Sequence, residues 1–154
     1  MLLLGCALLA RGELGFAQEA KKDGRSESQA RPVFAEIDAV RVLEQMRQAF
    51  ESDSRSRFLK LFDARRMPGY PAFRDEVDEF FETYYAVRVN YHVVQVGRDG
   101  EFGAVLTEIT LEATSKGATP NIRRNTQARL VLVWDGKAWK IADLAPRNLF
   151  KSAP

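Results

Sequence analysis

Reactive side chains are scarce in this 154-residue chain, which carries one histidine, His92, and one cysteine, Cys6. Nucleophilic catalysis of the Cys–His or Ser–His kind would have to run through His92, because such chemistry needs a base that works near neutral pH. One cysteine excludes an internal disulfide, and one cysteine with one histidine falls short of an ordinary zinc ligand set. Acid–base work by a carboxylate needs one held beside a proton donor. Asp143 is the carboxylate whose spacing points that way, because it falls in phase with Trp139 and Ile141 on the dry side of a strand pattern. Tyr91, Thr107 and Thr126 take the same phase on three earlier strand patterns, and Tyr84 lies on the apolar face of a helix pattern. His92 falls on the opposite phase from Tyr91, beside Arg88 and Asn90, and is predicted to face away. A bulge at Val93–Val94 would come after it and would not bring it back.

The elements that must position these residues are legible from periodicity. From Phe34 to Glu51 apolar residues recur at Ile37, Val40, Leu43, Met46 and Phe50, the spacing of an amphipathic helix. A short helix follows with Phe58, Leu59, Leu61 and Phe62, then a loop over 65–70 with Pro68 and Gly69. A third helix opens at Pro71 and aligns Phe73, Val77, Phe80, Phe81 and Tyr84. After Tyr85 the period changes to two: Val87, Val89, Tyr91 and Val93 alternate with polar residues, as in a strand with one buried face. Turn residues at 97–100 lead to a strand over about 102–113, a loop over 115–121, a strand over 125–134, a tight Asp135–Gly136 hairpin, and a closing strand over 139–144. Helices first and an antiparallel meander afterwards predict an α+β fold.

Composition sets the outer limits. Lysine plus arginine number 23 and aspartate plus glutamate 21, leaving a net charge of +2, too thin a margin for a phosphate-binding surface. Residues 1–10 are apolar and uncharged, too few to span a bilayer but enough for the apolar region of a secretory signal. Gly15 and Ala17 are small residues spaced for cleavage before Gln18, so 1–17 is expected to be a leader. Leu3-Leu4-Gly5-Cys6 also resembles a bacterial lipobox, which would make Cys6 a lipid anchor, and an uncleaved helix on a cytosolic protein is the plainer reading. Residues 18–32 are polar and aperiodic and are expected to form a flexible linker. The domain is expected over 33–150, with a tail at 151–154. No transmembrane segment is expected after processing.

Three helices before four strands, with a last hairpin Val133-Trp134-Asp135-Gly136-Lys137-Ala138-Trp139-Lys140-Ile141, resemble the nuclear transport factor 2-like superfamily, which includes SnoaL-like and ketosteroid isomerase-like proteins. The resemblance covers about 33–150. It implies a curved sheet wrapped on the helices as a cone, with a pocket whose wall is the dry sheet face. Tyr84, Tyr91, Thr107, Thr126 and Asp143 then become pocket candidates for a small apolar ligand. The same residues have a plainer use, in which the hydroxyls satisfy backbone groups and Asp143 meets water. The resemblance also implies, for enzyme members, an aspartate–histidine pair or an aspartate base with a tyrosine and a protonated aspartic acid as donors. Here Asp143 with Tyr91 or Tyr84 covers part of that pattern, which leaves an isomerase, cyclase or dehydratase as the alternative to a non-catalytic binding or accessory domain.

No cofactor or metal motif is present, and no glycine-rich phosphate loop. Arg123, Arg124 and Arg129 gather near Lys116, but Glu108 and Glu112 share their neighbourhood, which predicts a salt-bridged sheet surface with no nucleic-acid role. Leu106, Val131, Val133, Val94 and Val96 make the outer sheet face half apolar, which suits a homodimer contact there. His92, Arg88 and Arg129 would lie in that contact.

Overall fold

Helix α1 (Glu36–Glu51) starts where the Asp38 carboxylate accepts a hydrogen bond from the Ala35 backbone N–H, and where acidic side chains in the first turn face the positive helix end. In this computed structural model, which describes residues 31–151, α1 buries Ala39, Val42, Leu43, Met46, Ala49 and Phe50. Ile37, expected on that face, sits in the first turn and is exposed. Helix α2 (Arg55–Leu59) is a single short turn carrying Phe58 inward. Helix α3 (Tyr70–Thr83) begins after Gly69, whose φ of 66° suits glycine, and turns Phe73, Val77, Phe80 and Phe81 to the core. The expected leader over 1–17, with Cys6, lies outside the described residues. So does all of the expected linker except Arg31 and Pro32, and all of the tail except Lys151.

Strands β1 (Tyr84–Asp99), β2 (Phe102–Ser115), β3 (Ile122–Trp134) and β4 (Trp139–Ala145) form one antiparallel sheet in the order β1-β2-β3-β4. This is the α+β architecture expected from the sequence, with three helices on the dry face of a four-stranded meander. The strands exceed their expected lengths. Tyr84 already belongs to β1, and pairing continues through Gly97, Arg98 and Asp99 to a turn at Gly100 and Glu101. A short 3-10 turn (Arg147–Phe150), not expected from the sequence, returns Leu149 and Phe150 to the core.

Three irregularities decide which way side chains point. Between Tyr85 and Arg88 the register with β2 shifts, with Ala86 at φ 47°, and Tyr84 and Val87 both become buried. Between Val93 and Gln95 a second shift leaves Val94 as the extra residue, so Gln95 meets Leu106 and Val96 meets Val105. Val96 therefore packs against the core and does not belong to the outer face where plain alternation put it. In β4, Leu132 pairs with Ile141 but Val131 pairs with Asp143, which makes Ala142 the extra residue.

The interior is aromatic. Phe50 lies 4.5 Å from Phe58, 5.8 Å from Phe80 and 5.4 Å from both Phe81 and Phe150, measured between ring centroids. Phe62 and Phe73 extend the cluster at 4.6 Å. Backbone bonds clasp the α2 end to β4: Ile141 N–H donates to the Leu61 carbonyl and Asp63 N–H to the Ile141 carbonyl, each at 2.8 Å.

Candidate functional site

The five pocket candidates come from five places in the fold, and the register sorts them. Thr107 faces inward on β2 and is fully buried; its Oγ1 donates to the His92 carbonyl at 2.9 Å. That hydroxyl satisfies backbone at the Val94 bulge, the plainer use open to a threonine in a sheet. Tyr84 is fully buried, with its ring 5.1 Å from that of Phe80. Tyr91, Ile109 and Thr126 share one cross-strand row, so Ile109 stands between the phenol and the hydroxyl. Thr126 is half-buried beside a recess of about 390 Å³ that Glu108 and Gln127 also line.

Asp143 does not share that space. It stands two positions after Ile141, a spacing that in unbroken alternation would point both inward. The bulge at Ala142 consumes one step and pairs Asp143 with Val131, a residue of the outer phase. Its carboxylate accepts from Arg147 Nη2 at 2.8 Å, with side chains 45% and 38% exposed. Arg147 also donates to the Pro68 carbonyl, so the pair anchors the end of β4 to the loop before α3. His92 is exposed opposite Glu108, as its phase predicts.

Tyr91 instead meets a charged cluster on α1 that the sequence reading did not single out. Arg47 donates to Glu44 through Nη2 at 2.5 Å and Nε at 2.9 Å, and to Glu51 through Nη1 at 2.5 Å. Gln48 adds a fourth bond, to Glu44 Oε1 at 2.9 Å. The Arg47 guanidinium, followed by the Gln48 amide, holds the Glu44 carboxyl down at about 2 against an ordinary 4.5. The Tyr91 hydroxyl lies 3.5 Å from Glu44 Oε2, too long for a strong bond. Burial first, and the Glu44 charge second, push the Tyr91 phenol up. Both groups keep their ordinary neutral-pH forms, carboxylate and phenol, so the cluster does not offer a base and an acid poised for exchange. Its signal was present in the spacing Glu44, Arg47, Gln48, Glu51, which aligns charges at three and four residues on one helix face.

The outer face mixes signs as expected: Arg123 Nε pairs with Glu112 at 3.2 Å. Arg124, grouped with Arg123 in the sequence reading, takes the opposite phase and donates to the Leu149 carbonyl at 2.7 Å, securing the C-terminal turn. Among the described residues no cluster of histidine, cysteine, aspartate and glutamate is arranged to hold a metal ion. No helix among them is long and apolar enough to cross a membrane.

No protein-family model matches the sequence, and no curated protein resembles it at the sequence level. Solved structures do resemble the fold. A scytalone dehydratase-type protein from Novosphingobium aromaticivorans superposes with a TM-score of 0.62 at 9% identity, covering 70% of this chain and 79% of that one. A conserved protein from Planctomyces limnophilus gives 0.61 at 11% identity, covering 71% of this chain and 91% of that one. A type 2 hexachlorocyclohexane dehydrochlorinase gives 0.56 at 7% identity, covering 70% and 80%. Identities this low speak for architecture alone. With the helix order, the meander and these superpositions in agreement, the chain has the nuclear transport factor 2-like fold.

Proposed function

We propose that this chain is an exported, non-catalytic binding or accessory module. The observation that carries the reading is the occupation of the space between helices and sheet. Phe50, Phe58, Phe80, Phe81 and Phe150 fill it ring against ring, and the facing wall of Val105, Ile109, Leu130 and Leu132 is at most 1% exposed. Acid–base catalysis needs a donor and an acceptor within hydrogen-bond reach of the same reacting group. Thr107 is committed to backbone, Ile109 stands between Tyr91 and Thr126, and Asp143 faces outward onto Arg147. The isomerase or dehydratase alternative calls for Asp143 inside, and its pairing with Arg147 weighs against that reading. Export rests on the apolar run 1–10 and the small residues before Gln18.

One experiment tests both halves: mass analysis of the protein recovered from its native cell, under denaturing and then native conditions. The expected chain begins at Gln18, or carries acyl groups on Cys6, and releases any bound small molecule chemically unchanged. A full-length chain in the soluble cytoplasm would overturn export. A bound molecule converted by the wild type but not by Asp143→Asn would overturn the non-catalytic part.

A further inference from the structure

An aspartate followed by a small residue carries its own electrophile and nucleophile. The backbone nitrogen of the next residue can attack the aspartate Cγ and close a succinimide ring, and glycine obstructs that closure least. The chain has three Asp–Gly pairs, Asp23–Gly24, Asp99–Gly100 and Asp135–Gly136, and one Asp–Ser pair, Asp53–Ser54. Asp23 lies outside the described residues; hydrogen bonding sorts the other three.

Two of them are held back from reaction. The Ser54 N–H, whose nitrogen would attack Asp53, donates to the Ala49 carbonyl at 2.8 Å at the end of α1. Asp135 stands at the β3–β4 turn, where one carboxylate oxygen accepts the N–H groups of Lys137 and Ala138, each at 2.8 Å. Burial pushes that carboxyl up, but the Ala138 and Lys137 N–H groups outweigh it and hold the group below its usual range. To react, Asp135 must give up both bonds and take on a proton.

Asp99–Gly100 has neither restraint. Asp99, Gly100 and Glu101 are all exposed at the β1–β2 turn. Asp99 and Phe102 are the last paired residues, so the turn itself has two residues, and Gly100 takes φ 58°, a conformation that favours glycine. A Cβ at Gly100 would meet nothing within 4 Å, so the turn stands clear of its neighbours. Among the described residues the Asp99 carboxylate has no ion pair or hydrogen bond, and the Gly100 N–H donates to no carbonyl.

We propose that Asp99 is a site of spontaneous backbone modification, converting to isoaspartate through a succinimide formed with Gly100. The Gly100 nitrogen bonds to Cγ of the protonated Asp99 carboxyl, and its proton leaves with the carboxyl hydroxyl as water. A water molecule then opens the ring. Attack at Cγ breaks the new C–N bond and restores aspartate. Attack at the Asp99 carbonyl carbon breaks the original peptide bond, leaving the chain running through Cβ and Cγ with the α-carboxylate free. One water leaves and one returns, so no co-reactant is needed. The product adds a methylene to a two-residue turn and displaces Glu101, the partner of Arg31. This inference goes beyond the exported-module reading and is independent of it.

The test keeps the full chain for weeks in warm neutral buffer, native in one sample and unfolded in guanidinium chloride in another. Peptides are then mapped by electron-transfer mass spectrometry, which separates aspartate from isoaspartate by their backbone fragments. In the native chain isoaspartate should accumulate at Asp99 about tenfold or more faster than at Asp135, whose two charge-assisted bonds must break first. In the unfolded chain the two rates should converge, since both residues precede glycine. Asp99→Asn, which closes the same ring with loss of ammonia, should lose its amide in the native chain sooner than the wild type forms isoaspartate. Equal rates at Asp99 and Asp135 in the native chain would overturn the proposal. So would an Asp99 rate that rises about tenfold on unfolding, because the hairpin would then be protecting it. A native Asp99→Asn chain that keeps its amide while the unfolded one loses it would overturn it too.

Discussion

At the scale of single residues, Gly103 has a steric role that its backbone angles do not advertise. The ring of Phe34 occupies the volume a side chain would need, with three ring carbons between 2.5 and 2.6 Å from a Cβ built there. Replacing glycine by alanine ordinarily stabilises a compatible site by about 0.4–1 kcal/mol through the unfolded chain. Overpacking costs about 1–3 kcal/mol and should win here. Gly103→Ala is therefore expected to lower the urea midpoint, and in a Phe34→Ala background the same change should cost nothing further, because the obstructing ring is gone. Equal effects in the two backgrounds would disprove the contact. The charged residues tell a different story. Glu44 and Arg47 are satisfied by each other on one helix, and Asp143 and Arg147 form a largely exposed pair whose contribution falls in the range of about 0–1 kcal/mol.

At the scale of elements, the helices and strands were legible because burial imposes periods of 3.6 and 2 on apolar residues. Leu43, Met46 and Phe50 on α1, and Val105, Ile109 and Leu111 on β2, face the core as their spacing predicts. The inserted residues were not legible. Ala86, Val94 and Ala142 carry no turn chemistry in their side chains, and their role comes from the strand opposite. That is why Tyr91 and Thr107, close in sequence to their reference valines, were read in the correct phase, while Asp143 and Val96, each beyond a bulge, were not. The Val94 bulge has a fastener, since Thr107 Oγ1 holds the His92 carbonyl beside it. Thr107→Val preserves shape but strands that carbonyl, at an expected cost of about 1–2 kcal/mol, whereas Thr107→Ser should recover most of it. Hydrogen exchange should quicken at the amides of Gln95, Val96 and Gly97 in the valine variant. Unchanged protection there would mean that the bulge is held by other contacts.

At the scale of the whole molecule, the core is closed by its last residues. Phe150 lies 5.4 Å from Phe50, 5.1 Å from Phe58 and 6.2 Å from Phe73 and Phe80, touching all three helices from the far end of the chain. A chain ending at Pro146 loses Leu149 and Phe150 and should lose more than about 3 kcal/mol, a large share of a typical total of about 5–15 kcal/mol. Urea denaturation measures this directly, and an unchanged midpoint would show that the C-terminal turn is decoration. The backbone clasp between Leu61, Asp63 and Ile141 joins segments about 80 positions apart, whereas each strand of the meander pairs with its immediate successor. During synthesis the phenylalanine-rich first half must therefore wait, unsheltered, until the final strand and turn have left the ribosome. A nascent chain that stays open so long is exposed to aggregation, and for the export proposed above the same delay would keep it in the threadable state that passage through a translocation channel demands.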